Sequence, residues 1–181
     1  MGKHIALSVL GKDRPGIVEA ISKVLFDTGC NIEDSSMTIL EGEFAMILIV
    51  ALASKTSSAA LKNALSKAAK RMGLTCAVRE LSSTESTKEK HLKDRFMISV
   101  YGSDKPGIVY KISSLLAKNK VNITDVQTSQ SGSGKKAVYV MFLETIFPSK
   151  AKAEAVKAQL NAIARTLDVK ISVISADIPS L

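Results

Sequence analysis

The sequence predicts an α+β protein built from two copies of one βαββαβ unit, and three observations support that prediction. Residues 11–34 and 102–125 are identical at 12 of 24 positions when they are aligned at an offset of 91 residues. A short β-rich stretch precedes each of these segments and another follows it. Inside each segment the apolar residues recur at helical spacing. Each is followed by a very apolar stretch, another helical pattern and a last β-rich stretch. Such a repeat at a fixed offset indicates a tandem duplication.

The first strand and the first helix of each half are predicted from neighbouring patterns. His4–Leu10 and Arg95–Tyr101 are rich in β-formers and end at a glycine, so we expect strands there. Apolar residues at helical spacing then predict helices, at Ile17, Ile21, Val24 and Leu25 in one half and at Ile108, Ile112, Leu115 and Leu116 in the other. Gly29 is typical of a position just past a helix end, and its counterpart is Lys120.

The remaining elements follow in the same order in both halves. Second strands are predicted from Asn31 and Asn122, turns at Glu41–Gly42 and Ser131–Gly134, and third strands at Phe44–Ala53 and Ala137–Thr145. Second helices are predicted from matching apolar stripes, at Leu61, Leu65, Ala68 and Met72 and at Val156, Leu160, Ile163 and Leu167. The last strands are predicted at Leu74–Leu81 and Val169–Ser175.

These patterns divide the chain into a first unit at 1–81, a polar linker at 82–93 and a second unit at 94–181. Two right-handed βαβ crossovers that share one antiparallel sheet give the ferredoxin-like arrangement, with both helices on one face. A sheet covered on one face alternates apolar and polar residues, yet Phe44–Ala53 is apolar throughout. We therefore expect its second face to be covered as well, by the other unit or by a second chain.

Composition excludes several classes of protein. The chain is 46% hydrophobic and 23% charged, which is ordinary for a globular protein. Its longest apolar run is about half of what a membrane-spanning helix needs, and its start does not read as a signal peptide. We therefore expect a cytoplasmic protein without a membrane segment. Cys30 and Cys76 are interpreted as buried reduced thiols, and His4 and His91 lie apart from any carboxylate cluster. No metal and no cofactor is expected.

The net charge of +8 raises the question of nucleic-acid binding. Residues 1–81 contribute +2, residues 82–93 contribute +1 and residues 94–181 contribute +5. The excess consists mostly of lysines spread over predicted helix faces, which is typical of a solvated surface. The third strands lack the aromatic signature of the RNA-recognition motif, which shares the βαββαβ order. Direct nucleic-acid binding is therefore disfavoured.

The repeated phrase GKDRPGIV/GSDKPGIV lies between a strand end and a helix start in each half. We expect its proline at the first helical position and its aspartate as an acceptor for first-turn N–H groups, that is, Pro15 with Asp13 and Pro106 with Asp104. Its glycine lets another group approach the backbone closely, and a helix N-terminus suits a carboxylate. The same phrase is also simply a good strand-to-helix turn.

An asparagine follows the first helix of each half, at Asn31 and at Asn122. Its side chain offers both a donor and an acceptor, which suits an α-amino acid with its ammonium and carboxylate groups. An asparagine at a helix exit is also a common cap. The residues alone leave both interpretations open.

The order βαββαβ, with Asp-[Lys/Arg]-Pro-Gly-Ile-Val after the first strand and Asn-Ile at the second, resembles the ACT domain. The tandem arrangement over the whole chain is similar to the family of glycine cleavage system transcriptional repressors. This resemblance implies a non-catalytic regulator, in which a small amino acid of the glycine or serine class binds between ACT units. It also implies a regulatory partner protein and a homodimer.

The resemblance further implies which residues would form the site. The loop of one unit would supply one wall and the asparagine of a neighbouring unit another. The residues so implied are Asp13, Arg14, Pro15, Gly16, Ile17, Asn31 and Ile32 in the first unit and Asp104, Lys105, Pro106, Gly107, Ile108, Asn122 and Ile123 in the second. In some serine-binding relatives the loop aspartate is asparagine; an aspartate favours a ligand ammonium and repels a carboxylate.

Two alternatives to the sensor remain. The units could have lost ligand binding and serve only as a protein–protein assembly module. An enzyme is disfavoured, because the sequence has none of the motifs of the common hydrolases. SGSGKK at 131–136 differs from a phosphate-binding loop, since Ser129 replaces the first glycine and no Ser or Thr follows the lysine.

Overall fold

A computed structural model describes residues 3–82, 94–132 and 137–176. These residues form two compact units, one in each half of the chain. Apart from Ser82, the linker predicted at 82–93 lies outside the described residues. Among the described helices, none is both long enough and apolar enough to cross a membrane.

Within the residues that the structure describes, each unit contains four strands and two helices in the order βαββαβ, as the sequence predicts. The first unit comprises β1 (His4–Lys12), α1 (Ile17–Asp27), β2 (Asn31–Leu40), β3 (Glu43–Ala51), α2 (Ser58–Arg71) and β4 (Thr75–Leu81). The second comprises β5 (Arg95–Ser103), α3 (Ile108–Lys118), β6 (Asn122–Ser131), β7 (Val138–Ile146), α4 (Lys150–Leu167) and β8 (Val169–Ser175).

The strands of each unit form one antiparallel sheet. The strand order is β2-β3-β1-β4 in the first unit and β6-β7-β5-β8 in the second. The two central strands are therefore those that precede the helices, and β2 and β6 lie at one edge of their sheets. This is the ferredoxin-like arrangement, and it confirms the predicted fold class.

The predicted apolar stripes pack against one face of each sheet. In α1, Ile17, Ile21 and Leu25 are buried, as are their counterparts in α3. Leu61 and Leu65 of α2 join the same core. The opposite side of β3 carries Ala45, Ile47 and Ile49, and the side chain of Ile47 is 56% exposed. What covers this second face remains a prediction.

Two glycines that were expected to end the first strands lie within them. Strand β1 runs on through Gly11 to Lys12, and β5 runs on through Gly102 to Ser103. A β-carbon on Gly102 would lie 2.8 Å from the carbonyl oxygen of Asp168 and 2.8 Å from the Cα of Val169. These glycines are therefore needed for the close approach of the neighbouring strand, not for a turn.

Left-handed residues mark the ends of the first helices and the hairpin of the first unit. Gly29 has φ 70° and its counterpart Lys120 has φ 59°, so both positions take the expected conformation. Glu41 and Gly42 form the predicted hairpin turn between β2 and β3, with φ 51° and 77°. The last two residues of the turn predicted at 131–134 lie outside the described residues.

Candidate functional site

The loop between the first strand and the first helix has the same backbone in both units. The residue that precedes the helix is Gly16 in one unit, with φ 92°, and Gly107 in the other, with φ 93°. The helices begin one residue later, so the prolines lie in the turn and the prediction of a proline at the first helical position is wrong. A left-handed residue is required at this point, and glycine adopts that conformation without steric cost.

The aspartates of the phrase do not cap these helices, contrary to the sequence prediction. Neither α1 nor α3 has a side-chain cap. The second helices differ, because the Ser57 and Ser149 side chains accept hydrogen bonds from the N–H groups of Ala60 and Lys152, at 3.1 and 3.3 Å. The left-handed glycine displaces the aspartate from the position that a capping residue needs. Among the described residues, therefore, no side chain caps the backbone N–H groups in the first turns of α1 and α3.

The space above both loop glycines is open. A β-carbon on Gly107 would meet nothing within 4 Å, and one on Gly16 would meet only the Cε of Met72, at 4.0 Å. Residues 13–16 and 104–107 are all exposed. A small anionic group can therefore reach the backbone of the first helical turn.

The predicted asparagine and the predicted loop lie at opposite ends of the same sheet. Asn31 pairs across β3 with Ala51, which pairs with His4 at the start of β1, whereas the loop follows Lys12 at the other end. Eight residues of β1 separate the two rows, which is about 26 Å at 3.3 Å per residue. In the second unit, Asn122 shares the row of Arg95, and the loop follows Ser103. One unit alone therefore cannot bring its asparagine to its own loop.

Both asparagines stand at the beginning of an exposed edge strand. All ten residues of β2 are exposed, and Ile32 has an exposed fraction of 39%. In β6 Asn122 is exposed and Ile123 is half-buried. The strand register shifts directly after both Asn-Ile pairs, and such a bulge redirects side chains near the edge of a sheet. No pattern in the sequence predicts this bulge.

The structure adds two side-chain charge pairs and one backbone hydrogen bond that the sequence did not predict. In the first unit, His4 Nε2 lies 3.2 Å from Glu33 Oε2, a single carboxylate that the sequence pattern did not pair with it. The backbone N–H of Asp13 donates to the carbonyl of Gly42 at 2.9 Å and ties the loop to the hairpin. In the second unit, Lys105 Nζ lies 3.3 Å from Asp168 Oδ2.

Tyr139 lies close to the loop of the second unit. Burial raises the pKa of its hydroxyl, and the nearby carboxylate of Asp104 raises that pKa further, while a hydrogen bond with Thr128 lowers it. The Tyr139 Oη lies 3.7 Å from Met141 Sδ. The counterpart of Tyr139 in the first unit is the buried Phe44, since the two residues pair with Gly102 and Gly11 respectively. The polar hydroxyl beside the loop is therefore specific to the second unit.

No cluster of three or more potential metal ligands occurs in residues 3–82, 94–132 and 137–176.

Cys30 and Cys76 are both half-buried free thiols, and burial raises the pKa of Cys76. The residues of the candidate site are thus exposed aspartates and backbone N–H groups at one end of each sheet and asparagines at the other.

Comparison with known proteins gives a family match in each half. A model of the ACT domain matches residues 3–79 and 94–174. The glycine cleavage system transcriptional repressor of Escherichia coli (strain K12) is 23% identical over 172 residues, which cover 94% of this chain and 88% of that protein. A UPF0237 protein of Methanocaldococcus jannaschii is 43% identical over 76 residues, which cover 41% of this chain and 84% of that protein.

Solved structures that are similar over nearly the full length include the crystal structure of an unknown protein from Galdieria sulphuraria, with a TM-score of 0.81 and 27% sequence identity. The match covers 96% of this chain and 98% of that chain.

Proposed function

This chain belongs to the ACT-domain family, with one domain in each half, and from that premise we propose that it is a non-catalytic regulatory protein that binds a small amino acid of the glycine or serine class. The amino acid binds at interfaces between ACT units. The signal passes to a partner protein in the cytoplasm. The name of the E. coli relative supports a role in controlling glycine or amino-acid metabolism.

The observation that carries this proposal is the separation of the loop from the asparagine in each unit. The two predicted halves of the site lie about 26 Å apart along one sheet, as the strand rise and register require. Two units whose edge strands run antiparallel to each other bring the asparagine of one to the loop end of the other. An amino acid bound between the loop of one unit and the asparagine of the other would contact both units.

The chemistry of the two walls matches an amino acid. The uncapped backbone N–H groups at the start of α1 or α3 suit the carboxylate of an amino acid. Asp13 or Asp104 and the amide oxygen of Asn31 or Asn122 suit its ammonium group. The open space above the loop glycine lets such a ligand reach the backbone of the first helical turn.

Signalling follows from a shift in population. A ligand that bridges two units stabilises one relative arrangement of them over others, and a partner that contacts both units detects the change. No chemical step is needed, so the proposal assigns no catalytic residue.

Amino-acid titrations test this proposal. Glycine, serine, alanine and a set of larger amino acids are titrated by calorimetry, and thermal stability is measured at each concentration. We expect stabilisation by one of the small amino acids that follows RT ln(1 + [L]/Kd). The absence of heat and of stabilisation with every amino acid would contradict the proposal.

Substitutions then identify the unit that holds the site. Asn122→Ala is expected to weaken binding at least tenfold if the second unit contributes the asparagine, and Asn31→Ala if the first unit does. Asn161→Ala, which removes an exposed asparagine from α4, is the matched control and leaves the affinity unchanged. Unchanged affinity in both site variants would exclude the asparagines from the site.

An assembly module without a ligand is the second candidate, and the uncovered sheet face favours it. Ala45, Ile47 and Ile49 present an apolar surface that association would bury. This alternative predicts a stable oligomer whose thermal stability depends on protein concentration but on no amino acid.

A further inference from the structure

An open cavity of about 310 Å³ lies at the corner of the second unit where α4 ends and β8 begins. Its polar lining consists of Tyr101 and Ser103 from the end of β5, Arg165 and Asp168 from the end of α4, and Lys170 from β8. Pockets that bind small molecules in proteins have volumes of roughly 300–1,000 Å³. The cavity is therefore large enough to hold a small ligand within a single unit.

The strand register opens this corner. Strand β8 begins at Val169, opposite Gly102, whereas β5 continues to Ser103 alongside β7. Among the described residues, Ser103 therefore has no residue of β8 beside it. Gly102 carries no side chain that could fill the space, and the neighbouring backbone leaves no room for one. The end of β5 and the end of α4 thus form two walls of a gap that the sheet does not close.

Tyr101 and Lys170 are direct partners in the pairing of β5 with β8. The next pair, Val100 and Ile171, contributes to the core, so Tyr101 and Lys170 lie on the opposite face of the sheet. Both residues are exposed, Tyr101 by 55%. The β-carbons of such cross-strand partners are about 5 Å apart. A flat ring that packs on Tyr101 would therefore bring an anionic group attached to it close to the ammonium of Lys170.

Positive charge predominates around the cavity. Asp168 is the one carboxylate of its lining, and Lys105 neutralises it across 3.3 Å. Arg165 and Lys170 take part in no salt bridge within the described part of the chain. Three cations and one carboxylate leave a net charge of +2. The helix dipole favours a cation in the last turn of α4, as it does for Lys70 in α2, but it does not account for Lys170 on a strand.

The corresponding corner of the first unit lacks this pair of groups. Leu10 pairs with Thr75 there in the register in which Tyr101 pairs with Lys170. A leucine thus replaces the aromatic ring, and a threonine replaces the cation on the last strand. The two corners share their strand pairing, so the difference lies in the side chains. An aromatic ring beside a cation distinguishes the corner of the second unit.

We propose that this cavity binds a small aromatic anion, that is, a flat ring that carries a carboxylate or a phosphate group. The ring packs on Tyr101, and the anionic group accepts charge-assisted hydrogen bonds from Lys170 and Arg165. Lys105 holds the carboxylate of Asp168, which would otherwise repel the anion. The site lies within one unit and uses neither of the two asparagines, so it does not depend on the proposed amino-acid site.

Benzoate and phenyl phosphate serve as the probes, and their binding to the full chain is measured by calorimetry. Inorganic phosphate, which lacks the ring, and phenol, which lacks the anionic group, are titrated in parallel. The test variants Lys170→Thr and Tyr101→Leu give this corner the residues of the first unit. Lys70→Ala removes one charge from the corresponding corner of the first unit, and Tyr110→Leu removes an exposed tyrosine from α3; these are the matched controls.

We expect benzoate or phenyl phosphate to bind at least tenfold more tightly than inorganic phosphate and phenol, and the tighter of the two identifies the anionic group. Each test variant should weaken that binding at least tenfold, whereas each control changes the affinity less than twofold. The proposal would be overturned if neither aromatic anion bound, or if inorganic phosphate or phenol bound as tightly. Equal losses in Lys170→Thr and Lys70→Ala would also overturn it, since net charge alone would then explain the binding. Stabilisation by amino acids in a chain that binds neither aromatic anion would leave the proposed function standing.

Discussion

The loops of the two units share a backbone conformation but differ in the charged pairs beside them. Gly16 and Gly107 differ by only 1° in φ, and neither following helix has a side-chain cap. In the first unit Lys12, directly before the loop, pairs with Glu43, whereas in the second Lys105 pairs with Asp168 beyond α4. Duplication has therefore kept the geometry that exposes the helix start, while the charges around it have diverged.

The edge strands diverge in the same way. The exposed large apolar residues of β2 include Met37, Ile39 and Leu40, whereas β6 offers Val126 among otherwise mainly polar residues. The two edges therefore differ in how much apolar surface association can bury. Four sets of substitutions test how far the two units differ.

The largest loss of stability is expected at Gly102, which the last strand of its unit approaches closely, and Gly11 is its counterpart in the first unit. Gly102→Ala places its β-carbon 2.8 Å from backbone atoms of Asp168 and Val169, so the second unit should lose about 3 kcal/mol of unfolding free energy. In Gly11→Ala the nearest atom is the flexible Cδ2 of Leu74, at 2.7 Å, and the loss should be about 1 kcal/mol.

Urea titration measures both losses. The chain has no tryptophan and its tyrosines are Tyr101, Tyr110 and Tyr139, so intrinsic fluorescence reports on the second unit while circular dichroism reports on both. Equal losses in the two variants would show that β4 and β8 adapt equally well.

The loop glycines should respond alike in both units. Gly16→Ala and Gly107→Ala each force an alanine into the left-handed region without any steric contact, so each should lose about 1–2 kcal/mol of unfolding free energy. Asparagine tolerates this region better, and Gly16→Asn and Gly107→Asn should lose less. Denaturation of the four variants checks this, and a difference of more than about 1 kcal/mol between the units would contradict the shared backbone.

The ion pair of the second loop should contribute little stability. Lys105 and Asp168 have side chains that are 45% and 78% exposed, so Asp168→Asn should lower the free energy of unfolding by about 0.2–1 kcal/mol at low salt. Asparagine keeps the left-handed conformation of this position, and the loss should vanish at high salt. Glu43→Gln, which breaks the looser pair with Lys12 at 3.6 Å, is the first-unit control and should lose less. If the loss of unfolding free energy in Asp168→Asn persists in high salt, Asp168 stabilises the unit by something other than this ion pair.

The smallest effect concerns proton binding by Tyr139. Burial and the carboxylate of Asp104 both disfavour its phenolate, so its pKa lies above that of a free tyrosine. Asp104→Asn should therefore lower that pKa towards the ordinary value. Absorbance titration of tyrosinate, with Tyr139→Phe to assign the signal, measures the shift. An unchanged pKa would mean that the carboxylate of Asp104 does not face this side chain.

Periodicity and repetition were sufficient to predict the order of the elements. The spacing of Ile17, Ile21 and Leu25 predicts a helix face from local sequence alone. The same spacing in the second half supports the same prediction. The site was less predictable, because it depends on backbone conformation. A Pro-Gly pair in the sequence does not show at which residue the helix begins. Only the left-handed φ of Gly16 shows that α1 starts after it.

Long-range geometry was the second obstacle. The register that places Asn31 at the end of the sheet opposite to its loop depends on the pairing of β2 with β3, which no local pattern fixes. The close approach at Gly102 likewise depends on where β8 begins. The ion pair of Lys105 joins residues 63 positions apart, and nothing near Lys105 in the sequence points to it.

Hydrogen–deuterium exchange in the presence of the stabilising amino acid tests the central claim most directly. If the ligand bridges two units, the amides at the start of a first helix and those at the start of an edge strand should gain protection together. These segments are residues 13–19 with 31–36, or 104–110 with 122–127, and they should respond at the same ligand concentration. Protection of the loop without the strand, or of the strand without the loop, would contradict a site shared between units.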